Sequence, residues 1–227
     1  MHGCLDAPSL FSLVCPPSSP VHVSTDVDPA GALGSLHGLL AAAEDAGVPA
    51  SSLLLSALAR RERAVAARAR RTAEWARLLA EHLDRHDLAE EAHDVALLAD
   101  IGQLALGPGH PHNPWREWQC RRAAHDLLQA VPSLARLASP VLSIAERFDG
   151  DGLPVGLQGD EIPLAARIAR LVRDFDLASQ GWWPGQPTSS SARACMELVS
   201  LAGQTVDPAL VHTWLRVLDR EVAAHVA

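Results

Sequence analysis

The chain has 227 residues, 48% of them apolar, and a formal charge of −8. This is enough chain for one sizeable helical domain with an appendage. Its acidic balance argues against a nucleic-acid backbone as the main partner, because tracking phosphates needs a basic face. A small phosphate-bearing ligand in a local pocket stays compatible with that charge.

Residues 1–29 carry Pro16, Pro17, Pro20 and Pro29 among serines, without a periodic apolar face, and read as a tail. Met1 to Pro17 has no basic start and no long apolar run, so no signal peptide is expected. No stretch reaches the roughly 18 apolar residues that span a bilayer. A cytoplasmic, soluble protein without membrane contact is expected. Cys4, Cys15, Cys120 and Cys195 are scattered without a CxxC spacing, which suggests neither a zinc site nor a disulfide framework.

From Gly31 the composition turns to Leu and Ala. Gly31–Ala46 reads as a helix stopped at Gly47 and Pro49. Ser51 or Ser52 can cap a second helix, predicted to run unbroken to about Leu83. Its Arg- and Ala-rich middle, Arg60 to Arg71, reads as a solvated face or as a connector passing a signal into the domain. Residues 30–64 are assigned to this N-terminal connector and 65–227 to the main domain. Further helices fit Leu88–Leu104, Trp115–Ala130, Leu134–Phe148, Leu164–Ser179, Ser191–Ala202 and Pro208–Val226. Asp207 before Pro208 is a start signal, an N-cap acid ahead of proline at the first helical position. No period-2 alternation of strand length occurs, so the expected fold is an all-α helical bundle.

The most informative stretch is a loop, Glu146 to Pro163, in which Gly150, Gly152, Gly156 and Gly159 supply unusual backbone angles and Pro154 and Pro163 stiffen the path. A glycine-rich loop alone says little. The order of residues says more: Glu146, Asp149, Gly150, Gly152, Pro154, Gly156, Leu157, Gly159, Ile162, Pro163, Ala166, Arg167 and Ile168 fall in register with HHExxDGxGYPxGLxGxxIPxxARI, the signature of the HD-GYP family. Upstream, Leu97 to Leu106 resembles the family's LLHDIGKIGIP segment, keeping Asp100, Ile101 and Gly102. Phe175-Asp176 stands where the family has DxFDA, and Val206 to Val211 parallels its FDPxLV ending. The resemblance covers about residues 65 to 217. It implies a helical bundle of the HD/HD-GYP type around two or three iron or manganese ions, hydrolysing cyclic di-GMP or a related cyclic dinucleotide.

That chemistry needs metals to make hydroxide from water and to neutralise phosphoryl oxygens, and the metals need inward imidazoles and carboxylates. Carried over one by one, the ligands are replaced. The histidine before the HD pair falls on or near Arg68, that of the HD pair is Ala99, and the next falls on Ala124, beside His125. The pair before Glu146 is Ile144 and Ala145, and the aspartate of DxFDA is Arg173, followed by Asp174. Of the metal residues only Asp100 and Glu146 remain. The substrate-contacting lysine of DIGK is Gln103, and the tyrosine of GYP is Leu153.

Substitutes are few. His93-Asp94 lies six residues before Asp100, about 240° around a helix, and so faces away. His110 and His112 read as loop residues or a replacement contact; His125 would reach the centre only if its helix slipped by one register. The expected outcome is a pseudoenzyme with no catalytic residues and no metal cofactor, or iron or manganese if the site were intact. It would serve as a regulatory or protein-interaction module in cyclic-dinucleotide-related bacterial signalling. A remodelled phosphodiesterase and a metal-free cyclic dinucleotide sensor are the alternatives. Asp149, Gly150, Gly152, Pro154, Arg167 and Gln103 are the candidate ligand-binding residues, with cyclic dinucleotide as a possible ligand. In the bland alternative they hold the loop, Asp149 and Asp176 brace backbone donors, and Arg167 pairs with a carboxylate. A protein partner is also expected, anchored by Trp182-Trp183 if these are exposed; Trp115 and Trp118 are expected in the core.

Overall fold

Leucine and alanine recur at helical spacing from Ala50 onward, and in the computed structural model these stretches form helices packed around one another. The structure describes Gly38 and residues 47–106, 114–179 and 191–226. The tail, the rest of the first predicted helix, His110, His112 and Trp182-Trp183 lie outside the described residues. Among those described, the elements are α1 (Ala50–Arg61), α2 (Arg63–His82), α3 (Ala89–Leu98), a 3-10 turn (Ile101–Leu104), α4 (Pro114–Gln129), α5 (Ala135–Ser143), a 3-10 turn (Gly159–Glu161), α6 (Leu164–Ser179), α7 (Ser191–Leu201) and α8 (Pro208–Val226). The fold is all-α, as the missing period-2 pattern predicts.

The central helix is α6. Its residues Ala165, Ile168, Ala169, Leu171, Val172 and Phe175 are buried at helical spacing, and it lies against α2, α3 and α7. Phe175 meets Trp75 of α2 and Trp214 of α8 edge-on, with ring centroids 5.5 Å apart in both pairs. The main core continues through Leu79, Leu98, Leu127, Leu137 and Ile144, each fully buried. Burying such a side chain stabilises by about 1.5–3 kcal/mol. A smaller cluster, Leu55, Leu58, Val65, Ala66 and Ala69, joins α1 to α2 and packs on Leu97 and Leu104.

The predicted continuous helix from Ser51 to Leu83 is in fact two. Glu62 is extended (φ −143°, ψ 88°) and separates α1 from α2. Arg61, at the break, donates to the carbonyls of Leu104 and Leu106, which ties the end of α1 to the chain after α3. The predicted helix Leu88–Leu104 also divides: α3 ends at Leu98 and the chain tightens into the 3-10 turn. Gly102 explains this, because a Cβ there would lie 1.9 Å from the Cys120 carbonyl oxygen of α4. Only glycine lets the turn sit this close to α4. The helix expected over Leu134–Phe148 is shorter, ending at Ser143, before the glycine-rich loop.

At α8 the expected cap is present. Asp207 Oδ1 accepts from the Ala209 amide at 2.8 Å and the Leu210 amide at 3.4 Å. Among the described residues, no helix is long and apolar enough to cross a membrane.

Candidate functional site

Two buried carboxylates define the site, and the structure satisfies them in different ways. Glu146 ends the chain's exit from α5. Its Oε1 accepts from the Val155 amide at 2.8 Å, and its Oε2 from the Gly156 and Leu157 amides at 3.0 and 3.2 Å. It therefore folds the glycine-rich loop over itself. Gly152 is required beneath it, since a Cβ there would come within 2.1 Å of the Arg147 nitrogen. Gly150 has φ +89°, a left-handed conformation that favours glycine.

Asp100 sits between α3 and the 3-10 turn, 3% exposed. Arg68 of α2 reaches its Oδ2 through Nη2 at 2.8 Å and Nε at 3.3 Å. Arg121 of α4 gives Nη1 to Oδ1 at 3.1 Å and also to the Ala99 carbonyl. Arg173 of α6 places Nη2 3.7 Å from Oδ1. Burial alone would raise the Asp100 pKa; the charges of Arg68, Arg173 and Arg121 overcome this and hold the carboxyl well below the usual carboxylate range.

The cluster extends outward. Arg173 Nη1 donates to Glu117 at 2.8 Å, and the charge of Arg173 is the main reason that Glu117 titrates low, at about 2. Arg170 pairs with Asp174 at 2.7 Å and donates to the Ile144 carbonyl at 3.2 Å. Burial pushes the neighbouring Cys120 thiol up to about 11, which keeps it protonated and unreactive. These groups line a cleft of about 460 Å³ reaching Gln103, Trp118, Gly152 and Leu153.

The iron or manganese implied by the family resemblance can be tested against these side chains. A divalent ion beside Asp100 would share its surroundings with three guanidiniums that keep their charge at any physiological pH. Among the described residues, no group of three or more His, Cys, Asp or Glu side chains could hold a metal ion. The donor set at this place does not fit the group.

Of the substitutes, His93 and His125 are among the described residues, and each pairs with a carboxylate other than Asp100. His93 pairs with Asp94 at 3.1 Å and lies 3.7 Å from Glu74. His125 pairs with Asp126 at 2.9 Å, while Ala124 is the buried residue of that turn. Of the six candidate ligand residues, Gln103 and Gly152 line the cleft. Asp149, Gly150, Pro154 and Arg167 are not among its walls. Asp149 is bound by Arg147 and accepts the Asp151 amide at 3.1 Å. Arg167 bridges Asp160 at 2.7 Å and Asp207 at 2.8 Å, and Asp176 is held by Arg71 at 2.6 and 3.0 Å. Trp115, expected in the core, is 56% exposed. It stands in the first turn of α4, where it stacks on Trp118 with ring centroids 4.9 Å apart.

Sequence reasoning saw Arg68 and Arg173 only as lost ligands and missed Arg121, Arg170 and Glu117. The available signal was the combination: two cations at ligand positions around a kept aspartate already describe an ion-pair cluster.

Fold and site together define an HD-type helical domain. The chain belongs to the HD domain family, whose model matches residues 52–210. It is 30% identical over 185 residues to the 3'3'-cGAMP-specific phosphodiesterase 2 of Vibrio cholerae serotype O1, covering 75% of this chain and 34% of that protein. A cyclic di-GMP phosphodiesterase of the same organism is 30% identical over 195 residues, covering 74% of this chain and 39% of that protein. The chain thus spans little more than a third of these relatives. A solved cyclic GMP-AMP-specific phosphodiesterase of V. cholerae superposes with a TM-score of 0.54 at 19% identity, over 67% of this chain and 44% of the other, a likeness of fold. The resemblance to the HD-superfamily cyclic dinucleotide phosphodiesterases drawn from the sequence is borne out.

Proposed function

We propose that this domain does not hydrolyse cyclic dinucleotides and works as a regulatory module in cyclic-dinucleotide-related bacterial signalling, through contact with a protein partner. The observation that carries the reading is the environment of Asp100. Arg68 and Arg173 stand where the family resemblance would put a neutral imidazole and a carboxylate, and Arg121 joins them on Asp100. Fixed cations can neutralise Asp100, but they cannot lower the pKa of a water to make hydroxide as a metal does. The glycine-rich loop is nevertheless fully braced by Glu146, which supports a domain kept for its shape. A cytoplasmic location goes with this reading.

The test is elemental analysis of the purified protein together with incubation with cyclic di-GMP and 3'3'-cGAMP in the presence of iron or manganese. The expected result is no stoichiometric metal and no linear dinucleotide product. Two metals per chain with product formation would overturn the proposal.

A further inference from the structure

The run from Arg60 to Arg71 places six arginines beside one carboxylate, Glu62, at the elbow between α1 and α2. Three of the six hold the domain together. Arg61 donates to the Leu104 and Leu106 carbonyls, Arg68 pairs with Asp100, and Arg71 pairs with Asp176. The other three, Arg60, Arg63 and Arg70, are exposed and have no ion pair among the described residues.

These three follow the outer face of the elbow. Arg63 and Arg70 stand at i and i+7 on the same side of α2, about 10 Å apart along its axis, with exposed Ala67 between them. The other side of the helix carries the buried Val65, Ala66, Ala69 and Thr72. On α1, Arg60 stands at i+7 from Leu53, so the two share a face, and both are exposed.

Helix stability does not call for this arrangement. Arg60, in the last turn of α1, suits the negative end of the helix dipole. Arg63 opens α2, where the dipole is positive and disfavours a cation. Arg70 lies beyond the reach of either dipole end. Like charges gathered without counter-ions repel one another, and carboxylates from outside the domain would relieve that repulsion.

The chain as a whole is acidic at −8, so the elbow is a local reversal of sign. The spacing of Arg63 and Arg70 matches carboxylates two turns apart on a facing helix. A guanidinium can bond a carboxylate through two N–H groups, which is one reason arginine is enriched at protein interfaces. A nucleic acid or an anionic membrane would meet the same arginines but also the negative charge of the rest of the chain, and three cations are few against a polyanion.

We infer that the outer face of α1 and α2 around Arg60, Arg63 and Arg70 is a docking surface for an acidic helix of a partner protein. The inference rests on the reading of the domain as acting through a protein partner, and it names that partner's chemistry.

Fluorescence anisotropy on the full chain tests it, with a labelled helical peptide of leucine and glutamate heptads as the probe. Saturable binding that weakens with added salt is expected. The double variant Arg63→Ala/Arg70→Ala should bind about tenfold more weakly, the effect of about 1.4 kcal/mol. Arg122→Ala, which removes an exposed arginine of α4 paired with Asp126, should bind like wild type. The urea midpoint of the double variant should equal or exceed that of wild type, because repulsion is removed and alanine favours helix. A lower midpoint would give the two arginines a structural role and overturn the assignment. Unchanged peptide binding in the double variant would overturn the surface, and tighter binding of duplex DNA or of phosphatidylserine vesicles than of the peptide would overturn the protein partner. No peptide binding at all would overturn the inference, while metal content and product assays on the same protein still decide separately whether the domain is inactive.

Discussion

Asp100 and Glu146 are carboxylates from two segments that resemble the family, each 3% exposed, and their charges are neutralised by different means. Glu146 is held by three backbone amides of its own loop. Asp100 is held by side-chain cations from α2, α4 and α6. A backbone solution depends on the loop's path and on Gly152 beneath it, so it follows from shape. A side-chain solution depends on which residues stand at three distant positions, so the chemistry there can change while the fold stays. The contrast separates a carboxylate held by the path of its own loop from one held by side chains of three helices.

The strongest way to break this comparison is to remove the Asp100 charge. Asp100→Asn leaves Arg68, Arg121 and Arg173 buried without their shared counter-ion, and unpairing a buried ion pair costs about 3–5 kcal/mol. Urea unfolding should show a loss of that size without a change in helix content before the transition. A loss below about 1 kcal/mol, the level of an exposed pair, would mean that the cluster is hydrated and the site is open.

Acid titration examines the same cluster without mutation. Glu117 titrates at about 2 when folded and near 4.5 when free, so the folded state binds its proton less readily. The stability it contributes is fully present above about pH 4.5 and is lost as pH falls toward 2. The shift corresponds to about 3 kcal/mol, and Glu117→Gln should flatten that part of the profile. An unchanged slope in the variant would remove Glu117 from the cluster.

The fold was more legible than the site. Asp207-Pro208 announced α8, and the spacing of Leu and Ala announced α6, because caps and apolar periodicity are local. The break at Glu62 was not visible: one extended residue between two good helix formers leaves no mark on periodicity, and it is held by a tertiary contact from Arg61 to Leu104. Asp100 and the glycine-rich loop were found from the order of motif residues. Arg121 has no motif of its own, and it reaches Asp100 only because Gly102 lets the 3-10 turn press against α4. Exposure of Trp115 was missed because aromatic residues in a helix read as core, whereas a first-turn position leaves one face outside.

On the other side of the comparison, Glu146→Gln replaces an acceptor pair by an amide whose N–H₂ faces backbone donors. The expected loss is about 1.5–3 kcal/mol, the range for hydrogen bonds to a charged group. Hydrogen exchange should accelerate at Val155, Gly156 and Leu157, while the amides around Asp100 keep their protection. Equal acceleration in both places would show that loop and cluster open as one unit, and the distinction drawn between them would fail.

Asp207 combines the two modes in one side chain. Its Oδ1 caps the amides of Ala209 and Leu210, and its Oδ2 receives Arg167 at 2.8 Å. Arg167 has a second partner in Asp160 at 2.7 Å, so it keeps a counter-ion when Asp207 loses its charge. Asp207→Ala removes cap and charge and should cost about 1–2 kcal/mol. Asp207→Asn keeps the cap, because asparagine serves an N-cap as well as aspartate, and should cost less than about 1 kcal/mol. Thermal melts of the two variants decide which mode dominates here. Asparagine close to wild type makes Asp207 a backbone-bracing residue like Glu146; asparagine as damaging as alanine moves it to the Asp100 class, where the arginine is the partner that counts.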